Sequence, residues 1–236
     1  MLRTILLCFL LLTCGLALAD EASVRKGVED RFPQAKIQSV SRTPYGGLYE
    51  VYMDGKMHYT DEKVGFVMIG ELIDTKTSQN VTEQRMRKLT ALNLKELPPL
   101  STAIKRVKGD GRRTLMVFSD PMCPYCKRLE QELAKLNNVT IYWWLYPVEN
   151  KFPGSTELAK QIWCAPDRGK AWDDLMLKGQ RPTGNASCAN PIADIDKIGS
   201  RMNISVTPTL VFVDGAPYAG MLPAAAIERL LTPPPQ

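Results

Sequence analysis

The hydrophobic positions along the chain fall into two different patterns. Toward the N-terminus, Val24, Val28 and Phe32 mark one stripe of a short amphipathic helix that ends at Pro33. Short apolar segments that alternate with polar residues follow this helix, and an Asp-Gly turn typical of a hairpin separates two of them. One helix followed by short strands predicts a small α+β module over residues 20–78. The predicted strands cover residues 48–52, 57–60, 66–69 and 72–73.

A helical segment is predicted to connect this module to the rest of the chain. Asn80 is a candidate N-cap, and Pro98 ends the helical pattern. A helix over residues 81–97 would be about 25 Å long, at roughly 1.5 Å per residue. Within a connector assigned to residues 79–100, this helix either acts as a spacer or packs wholly on one domain, and the sequence leaves both open. Its apolar stripe consists of Met86, Leu89 and Leu92.

From residue 101 to residue 236 the strands and helices alternate over longer segments. Three consecutive helices between two of the strands form a helical insertion. This order predicts an α/β domain, so the fold class of the whole chain is α+β, with a small N-terminal domain and a larger C-terminal one. The predicted strands cover residues 103–107, 115–118, 139–146 and 209–213, and the predicted helices cover residues 127–136, 155–165, 169–178, 191–202 and 223–231.

The first 19 residues have the features of a secretory signal peptide. Arg3 gives a weak positive start, residues 5–12 form an apolar core, and Ala17-Leu18-Ala19 provides a small-x-small cleavage site before Asp20. The apolar core is shorter than the ~20 residues that a membrane-spanning helix needs. We therefore expect residues 1–19 to be removed from an exported protein, with a retained membrane anchor as the alternative.

Charge and size narrow the classes of function. The 30 lysines and arginines and the 25 aspartates and glutamates give a formal net charge of +5, and no long basic run is present. Binding to nucleic acid or to a membrane surface is therefore not indicated. The module over residues 20–78 buries too little surface to be comfortably stable alone. We expect it to form a homodimer through its sheet edges or to pack against the larger domain.

The cysteine pattern fits an exported protein. Of the six cysteines, two lie in the predicted signal peptide, and four remain at Cys123, Cys126, Cys164 and Cys188. An even number implies two disulfides with three possible connectivities, and proximity in the sequence favours 123–126 and 164–188. For Cys164 and Cys188 we expect a structural disulfide that constrains a long loop. A second redox pair is the alternative.

The Cys123-Pro124-Tyr125-Cys126 motif indicates a redox site, because it follows an apolar strand and opens a helix. The unpaired N–H groups at a helix start favour a thiolate, so Cys123 is the predicted nucleophile and is expected to be exposed. Cys126, one turn into the helix, is expected to be more buried, to have a higher pKa and to resolve a mixed disulfide. A motif of this kind at a strand-to-helix junction is typical of a thioredoxin-like fold. A static disulfide and a four-thiolate zinc site are the alternatives; we expect no metal and no cofactor.

A second segment is predicted to contact the substrate. Thr207-Pro208 leads into a strand, and a proline just ahead of a buried strand is a candidate for a cis peptide bond. In a thioredoxin-like fold it would lie beside the cysteine pair, where the backbone of Thr207 could pair with an extended substrate. Tyr125, between the two cysteines, is the third predicted substrate-binding residue. His58, the only histidine, is interpreted as a surface or edge-strand residue.

Taken together, these segments resemble the DsbC/DsbG family of bacterial periplasmic disulfide isomerases, and DsbC more closely than DsbG. The resemblance implies a V-shaped homodimer with cystatin-like N-terminal dimerisation domains, linker helices and thioredoxin-like catalytic domains that face a broad uncharged cleft. It also implies a periplasmic location and a DsbD-like membrane reductant that keeps the active cysteines reduced. The second cysteine pair is DsbC-like, whereas the Pro-Tyr dipeptide matches DsbG. The resemblance rests on residues 118–126, 162–165, 170–174 and 206–208.

The leading hypothesis is a protein disulfide isomerase or reductase that rearranges non-native disulfides in misfolded exported proteins through Cys123 and Cys126. A DsbG-like reductase of sulfenic acids is an alternative from the same chemistry. A dimeric periplasmic chaperone is an alternative from another class, and a monomeric oxidase is a fourth.

Overall fold

The computed structural model describes residues 20–232. The predicted signal peptide, residues 1–19, lies outside the described residues. The chain divides into two compact units, with the boundary after Met86. Over residues 20–232, every helix is too short or too polar to span a bilayer.

The first unit combines one helix with short antiparallel strands. Helix α1 ends at residue 31, and its Val24 and Val28 pack against Val40, Tyr49 and Val51 of the main sheet. That sheet has the order β1-β2-β3, and both of its pairings are antiparallel. The α+β prediction for this part of the chain is therefore confirmed. The strands are β1 (Ile37–Arg42), β2 (Tyr49–Met53), β3 (Lys56–Thr60), β4 (Ile73–Asp74) and β5 (Gln79–Asn80), and helix α2 (Val81–Thr90) follows them.

The second unit is a mixed five-stranded sheet with helices inserted between its strands. The strand order is β10-β9-β7-β8-β6, in which β7 and β8 are parallel and the other pairs are antiparallel. The thioredoxin-like domain with a helical insertion is thereby confirmed. The strands are β6 (Ile104–Lys108), β7 (Arg113–Ser119), β8 (Val139–Leu145), β9 (Thr209–Phe212) and β10 (Pro217–Ala219). The helices are α3 (Pro124–Leu133), α4 (Ser155–Cys164), α5 (Arg168–Lys178), α6 (Ile192–Arg201) and α7 (Ala224–Leu231).

The central strand β7 places the redox motif at one end of the strands of this sheet. In β7, Leu115, Val117 and Phe118 are almost inaccessible to solvent, as expected for a strand that is covered on both faces. The chain leaves β7 at Ser119 and enters α3 at Pro124, so the motif lies where a central strand ends.

The connecting helix is shorter than the sequence pattern predicts. Helix α2 ends at Thr90, and the prediction of one helix over residues 81–97 is wrong. The N–H of Leu92 donates to the carbonyl of Gly215 at 2.8 Å, so the chain makes a tertiary bond where the helix would have continued. Asn93 has an extended backbone, and its side chain accepts from the N–H of Lys95 to cap a short 3₁₀ turn over Leu94–Glu96.

The strand predictions also differ from the structure, and the short strands β5 and β10 are not among them. Residues 66–69 form no strand; they contribute one isolated bridge, between Met68 and Tyr59. Strand β1 was not predicted, because a register shift between Ile37 and Ser39 breaks the alternation of apolar and polar positions along it.

Candidate active site

The site is built at the junction between β7 and α3. Cys123 is the N-cap of α3, with an extended backbone at φ −70° and ψ 123°, and Pro124 occupies the first turn. Proline suits this position because its missing N–H would have no partner inside the helix. The N–H of Cys123 donates to the carbonyl of Asp120 at 3.2 Å, which closes the turn that leads from strand to helix.

Cys123 is buried, so the prediction of an exposed thiol is wrong. The residue is 2% exposed, although its neighbours Pro124 and Tyr125 are exposed. The cover comes from a segment that is distant in the sequence: the Cys123 thiol donates to the carbonyl of Thr207 at 3.3 Å. The Thr207–Pro208 peptide bond in this segment is cis. A substrate must therefore reach the sulfur past the loop that contains Thr207.

The surroundings of Cys123 favour its thiolate. A hydrogen bond from the Cys126 side chain is the largest influence and lowers the pKa of Cys123 to about 6, against the opposing effect of burial. Backbone N–H groups of Cys126 and Tyr125 lower it further; they belong to the first turn of α3, where N–H groups lack helical partners. The helix start thus contributes as expected, but the neighbouring thiol contributes more.

Cys126 has the opposite character. It is fully buried, and burial raises its pKa well above the ordinary value for a thiol, with the hydrogen bond to Cys123 acting in the same direction. The backbone N–H of Asp120 donates to its sulfur at 3.4 Å. One sulfur of the pair is therefore suited to be a thiolate near neutral pH, while the other keeps its proton.

The three predicted substrate-binding residues lie at different depths. Thr207 is half-buried beside Cys123, and Pro208 is buried. Tyr125 is 58% exposed, and the guanidinium of Arg128 lies 5.5 Å from the centre of its ring. The structure thus brings Cys123, Cys126 and Thr207 together, with Tyr125 at the surface of the same helix start.

The second cysteine pair forms a disulfide. Cys164 ends α4, and its sulfur is bonded to that of Cys188 across a separation of 24 residues, with the two Cα atoms 5.6 Å apart. Cys164 packs against the core of the unit, whereas Cys188 is exposed. His58 lies in β3 of the other unit, with its Nδ1 3.2 Å from the carbonyl oxygen of Lys56. Among residues 20–232, no cluster of histidine, cysteine and acidic side chains could hold a metal ion.

Two buried acidic residues near the motif were not predicted from the sequence. Asp120 is inaccessible to solvent and accepts hydrogen bonds from the segments that follow β7 and β8 and from α4. Glu130 is 3% exposed and accepts from the indole N–H of Trp143. Helical spacing could have indicated Glu130, since it lies four positions after Cys126 on the same face of α3. The sequence around Asp120 carries no comparable signal.

Comparison with known proteins places both units. Residues 100–232 match the family model of the thioredoxin-like domain, and residues 15–83 match that of the disulfide bond isomerase protein N-terminal domain. A probable thiol:disulfide interchange protein DsbC from Bordetella avium is 44% identical over 210 residues, which cover 89% of this chain and 74% of the relative. The thiol:disulfide interchange protein DsbC of Escherichia coli K12 is 26% identical over 222 residues, covering 92% of this chain and 89% of the relative. The crystal structure of a disulfide interchange protein from Neisseria gonorrhoeae aligns with a TM-score of 0.55 at 42% identity, over 57% of this chain and 96% of that one.

Proposed function

This chain belongs to the DsbC family of thiol:disulfide interchange proteins, and from that premise we propose that Cys123 and Cys126 rearrange non-native disulfides in exported proteins. The observation that carries the proposal is the arrangement at the start of α3: Cys123 is the N-cap, and Cys126 is fully buried within the first turn. In this arrangement the pKa of Cys123 is lowered to about 6 and that of Cys126 is raised. Exchange requires a thiolate that attacks the substrate disulfide and a second thiol that stays protonated until it releases a trapped mixed disulfide.

The first step is attack of the Cys123 thiolate on one sulfur of a substrate disulfide. A new disulfide forms between Cys123 and that sulfur, and the second substrate sulfur leaves as a thiolate. In isomerisation, a substrate thiolate then attacks the mixed disulfide and expels Cys123, so no electrons are gained or lost overall. In reduction, Cys126 loses its proton and attacks Cys123 instead. The substrate leaves with both sulfurs reduced, and the enzyme carries the Cys123–Cys126 disulfide.

The loop at Thr207 has two roles in this proposal. While Cys123 is protonated, the carbonyl of Thr207 accepts a hydrogen bond from its thiol, and the loop covers the sulfur. An extended substrate segment that pairs with the backbone of this loop would take over that contact and align its own sulfur with Cys123. Tyr125, exposed beside the motif, would contact the same segment.

We further propose a homodimer formed by the first unit. β3 lies at the edge of its three-stranded sheet, and beyond it the chain makes one isolated bridge at Met68. The segment after β3 exposes large apolar side chains, which an association would cover. These are Phe66 at 47%, Met68 at 41%, Ile69 at 77% and Ile73 at 48% exposure.

The dimer is tested in the full mature chain by sedimentation. Met68→Glu with Ile69→Glu should convert the dimer to a monomer, while Leu177→Glu, at a 43% exposed position of the second unit, should leave it unchanged. A dimer that survives the double substitution would place the interface elsewhere.

We also propose where the mature chain is located and which protein reduces its active-site disulfide. Removal of residues 1–19 would release the mature chain into the periplasm, where a DsbD-like membrane protein would return oxidised Cys123–Cys126 to the dithiol. Acid-trapped alkylation of a periplasmic extract should find both thiols free. Full oxidation in a strain that retains the reductant would contradict an isomerase and favour an oxidase.

The activity is tested by refolding of ribonuclease A with scrambled disulfides. The wild-type protein should restore activity, Cys123→Ser should not, and Cys126→Ser should retain part of the isomerisation because substrate thiols can still release Cys123. A protein that only reduces sulfenic acids would fail this assay and reduce a sulfenylated substrate instead. Prevention of aggregation by the Cys123→Ser, Cys126→Ser double variant would measure chaperone activity separately.

A further inference from the structure

We propose that Asp120 is a positioning residue that holds Cys123 and Cys126 in the geometry required for their mutual exchange, an inference that rests on the proposed function. Its backbone contacts both cysteines. The Asp120 carbonyl accepts from the N–H of Cys123 at 3.2 Å, and the Asp120 N–H donates to the sulfur of Cys126 at 3.4 Å. A displacement of this one residue would therefore alter the setting of both sulfurs.

The side chain of Asp120 fixes that backbone in place. It is inaccessible to solvent, and both of its carboxylate oxygens accept hydrogen bonds. Oδ1 accepts from the N–H of Met122 and from the hydroxyl of Ser155, each at 2.7 Å, and Oδ2 accepts from the N–H of Val148 at 2.6 Å. All three partners donate, which suits an acceptor-only carboxylate.

These three donors come from three separate parts of the domain. Met122 belongs to the redox turn itself, Val148 follows β8, and Ser155 begins α4 of the helical insertion. The carboxylate therefore ties the turn that carries Cys123 to the sheet and to the insertion at once. A neutral amide at this position could keep the bonds to Oδ1, but it would point an N–H group at the N–H of Val148.

The bond from the Asp120 N–H to Cys126 matters most when Cys126 attacks. At that moment the Cys126 sulfur must carry negative charge in a buried setting, and a hydrogen bond that is already aimed at it stabilises that charge. The step that depends on Asp120 is therefore closure of the Cys123–Cys126 disulfide from a mixed disulfide. Attack by Cys123 on an external disulfide depends on it less, because the hydrogen bonds that favour the Cys123 thiolate come from Cys126, Thr207 and Tyr125 and not from Asp120.

The test is a single-turnover measurement on the full mature protein. Cys123 is loaded with glutathione as a mixed disulfide at acidic pH, the pH is raised, and release of glutathione by Cys126 is followed in time. Asp120→Asn should slow closure about tenfold or more, and Ser155→Ala, which removes only one of the three donors, about threefold. Folded fraction is measured by circular dichroism under the same conditions. The rate of initial mixed-disulfide formation should change less than the rate of closure in both variants.

The outcomes separate this proposal from the function on which it rests. A wild-type protein that neither accepts glutathione at Cys123 nor releases it would contradict the proposed function. If Asp120→Asn does not fold, Ser155→Ala decides the question. The role of Asp120 is overturned if the Cys123–Cys126 disulfide closes as fast in Ser155→Ala as in the wild type. The role is likewise overturned if closure in folded Asp120→Asn is as fast as in the wild type, or if mixed-disulfide formation slows as much as closure does.

Discussion

The indole N–H of Trp143 donates a hydrogen bond of 2.7 Å to the carboxyl of Glu130, and both side chains are buried. Trp143 lies in β8 and Glu130 in α3, so the bond joins the central sheet to the helix that starts at the redox motif. Burial raises the pKa of Glu130 to about 8, although the hydrogen bond from Trp143 acts against this effect. The fold therefore prefers the protonated carboxyl.

This preference predicts that stability falls as pH rises. The pKa of Glu130 in the folded state, about 8, exceeds its ordinary value of about 4.3, so the contribution to stability is complete below the ordinary value and is lost as pH rises through about 8. We expect the free energy of unfolding to fall by a few kcal/mol from about pH 5 to about pH 8, since each unit of pKa difference corresponds to about 1.4 kcal/mol. Glu130→Gln should remove most of this dependence, while Glu157→Gln at an exposed position should keep it. Urea unfolding at several pH values measures the effect, and equal slopes in all three proteins would contradict it.

The Cys126 side chain is predicted to set the reactivity of Cys123. Because its hydrogen bond is the largest influence that lowers the pKa of Cys123 to about 6, Cys126→Ala should raise that pKa by about a unit or more. Cys126→Ser retains a donor and should raise it less. Thiolate absorbance at 240 nm, titrated in each variant, measures the shift. Identical Cys123 pKa values in the two variants would contradict a leading role for this hydrogen bond.

The Cys164–Cys188 disulfide is predicted to stabilise the second unit without taking part in exchange. Its separation of 24 residues corresponds to about 3–4 kcal/mol on the chain-entropy estimate. The double variant Cys164→Ala, Cys188→Ala should lose about that much free energy of unfolding and still isomerise ribonuclease A at temperatures where it is folded. Ser187→Ala, next to Cys188 but outside the disulfide, is the control. A folded double variant without activity would instead indicate a redox role for this pair.

Sequence periodicity identifies the helices and strands whose buried positions recur regularly, and it fails where tertiary contacts determine where an element begins or ends. Helices α4, α5 and α6 each present a regular buried face and were predicted within about two residues. The pattern does not predict β1, because its register shift breaks the alternation of apolar and polar residues. It predicts too long an α2, because the hydrogen bond from Leu92 to Gly215 joins residues that are distant in the sequence.

The same distinction holds at the site. The Cys123–Cys126 motif and its position at a helix start follow from neighbouring residues, and so do the directions of both pKa shifts. The burial of Cys123 does not follow from neighbouring residues, because the residue that covers its sulfur is Thr207, 84 positions away. The carboxylate of Asp120 likewise contacts Val148 and Ser155, which are close only in the folded domain.

Close packing of α6 against the end of the sheet gives a last prediction. Gly199 is buried in α6, and a Cβ atom at this position would lie 2.5 Å from Cε2 of Tyr146, whose hydroxyl donates to the carbonyl of Ile204 at 2.9 Å. Alanine would gain up to about 1 kcal/mol in helix propensity. Overpacking against a buried ring that is held by its own hydrogen bond costs about 1–3 kcal/mol, so we expect the substitution to be destabilising overall.

Gly199→Ala should therefore lower the free energy of unfolding, measured by urea at constant pH. Gly184→Ala is the matched control, since a Cβ atom there meets no heavy atom within 4 Å. A Gly199→Ala protein as stable as the control would mean that the ring of Tyr146 can move aside without losing its bond to Ile204. The packing between α6 and the chain that leaves β8 would then be looser than the contact distances indicate.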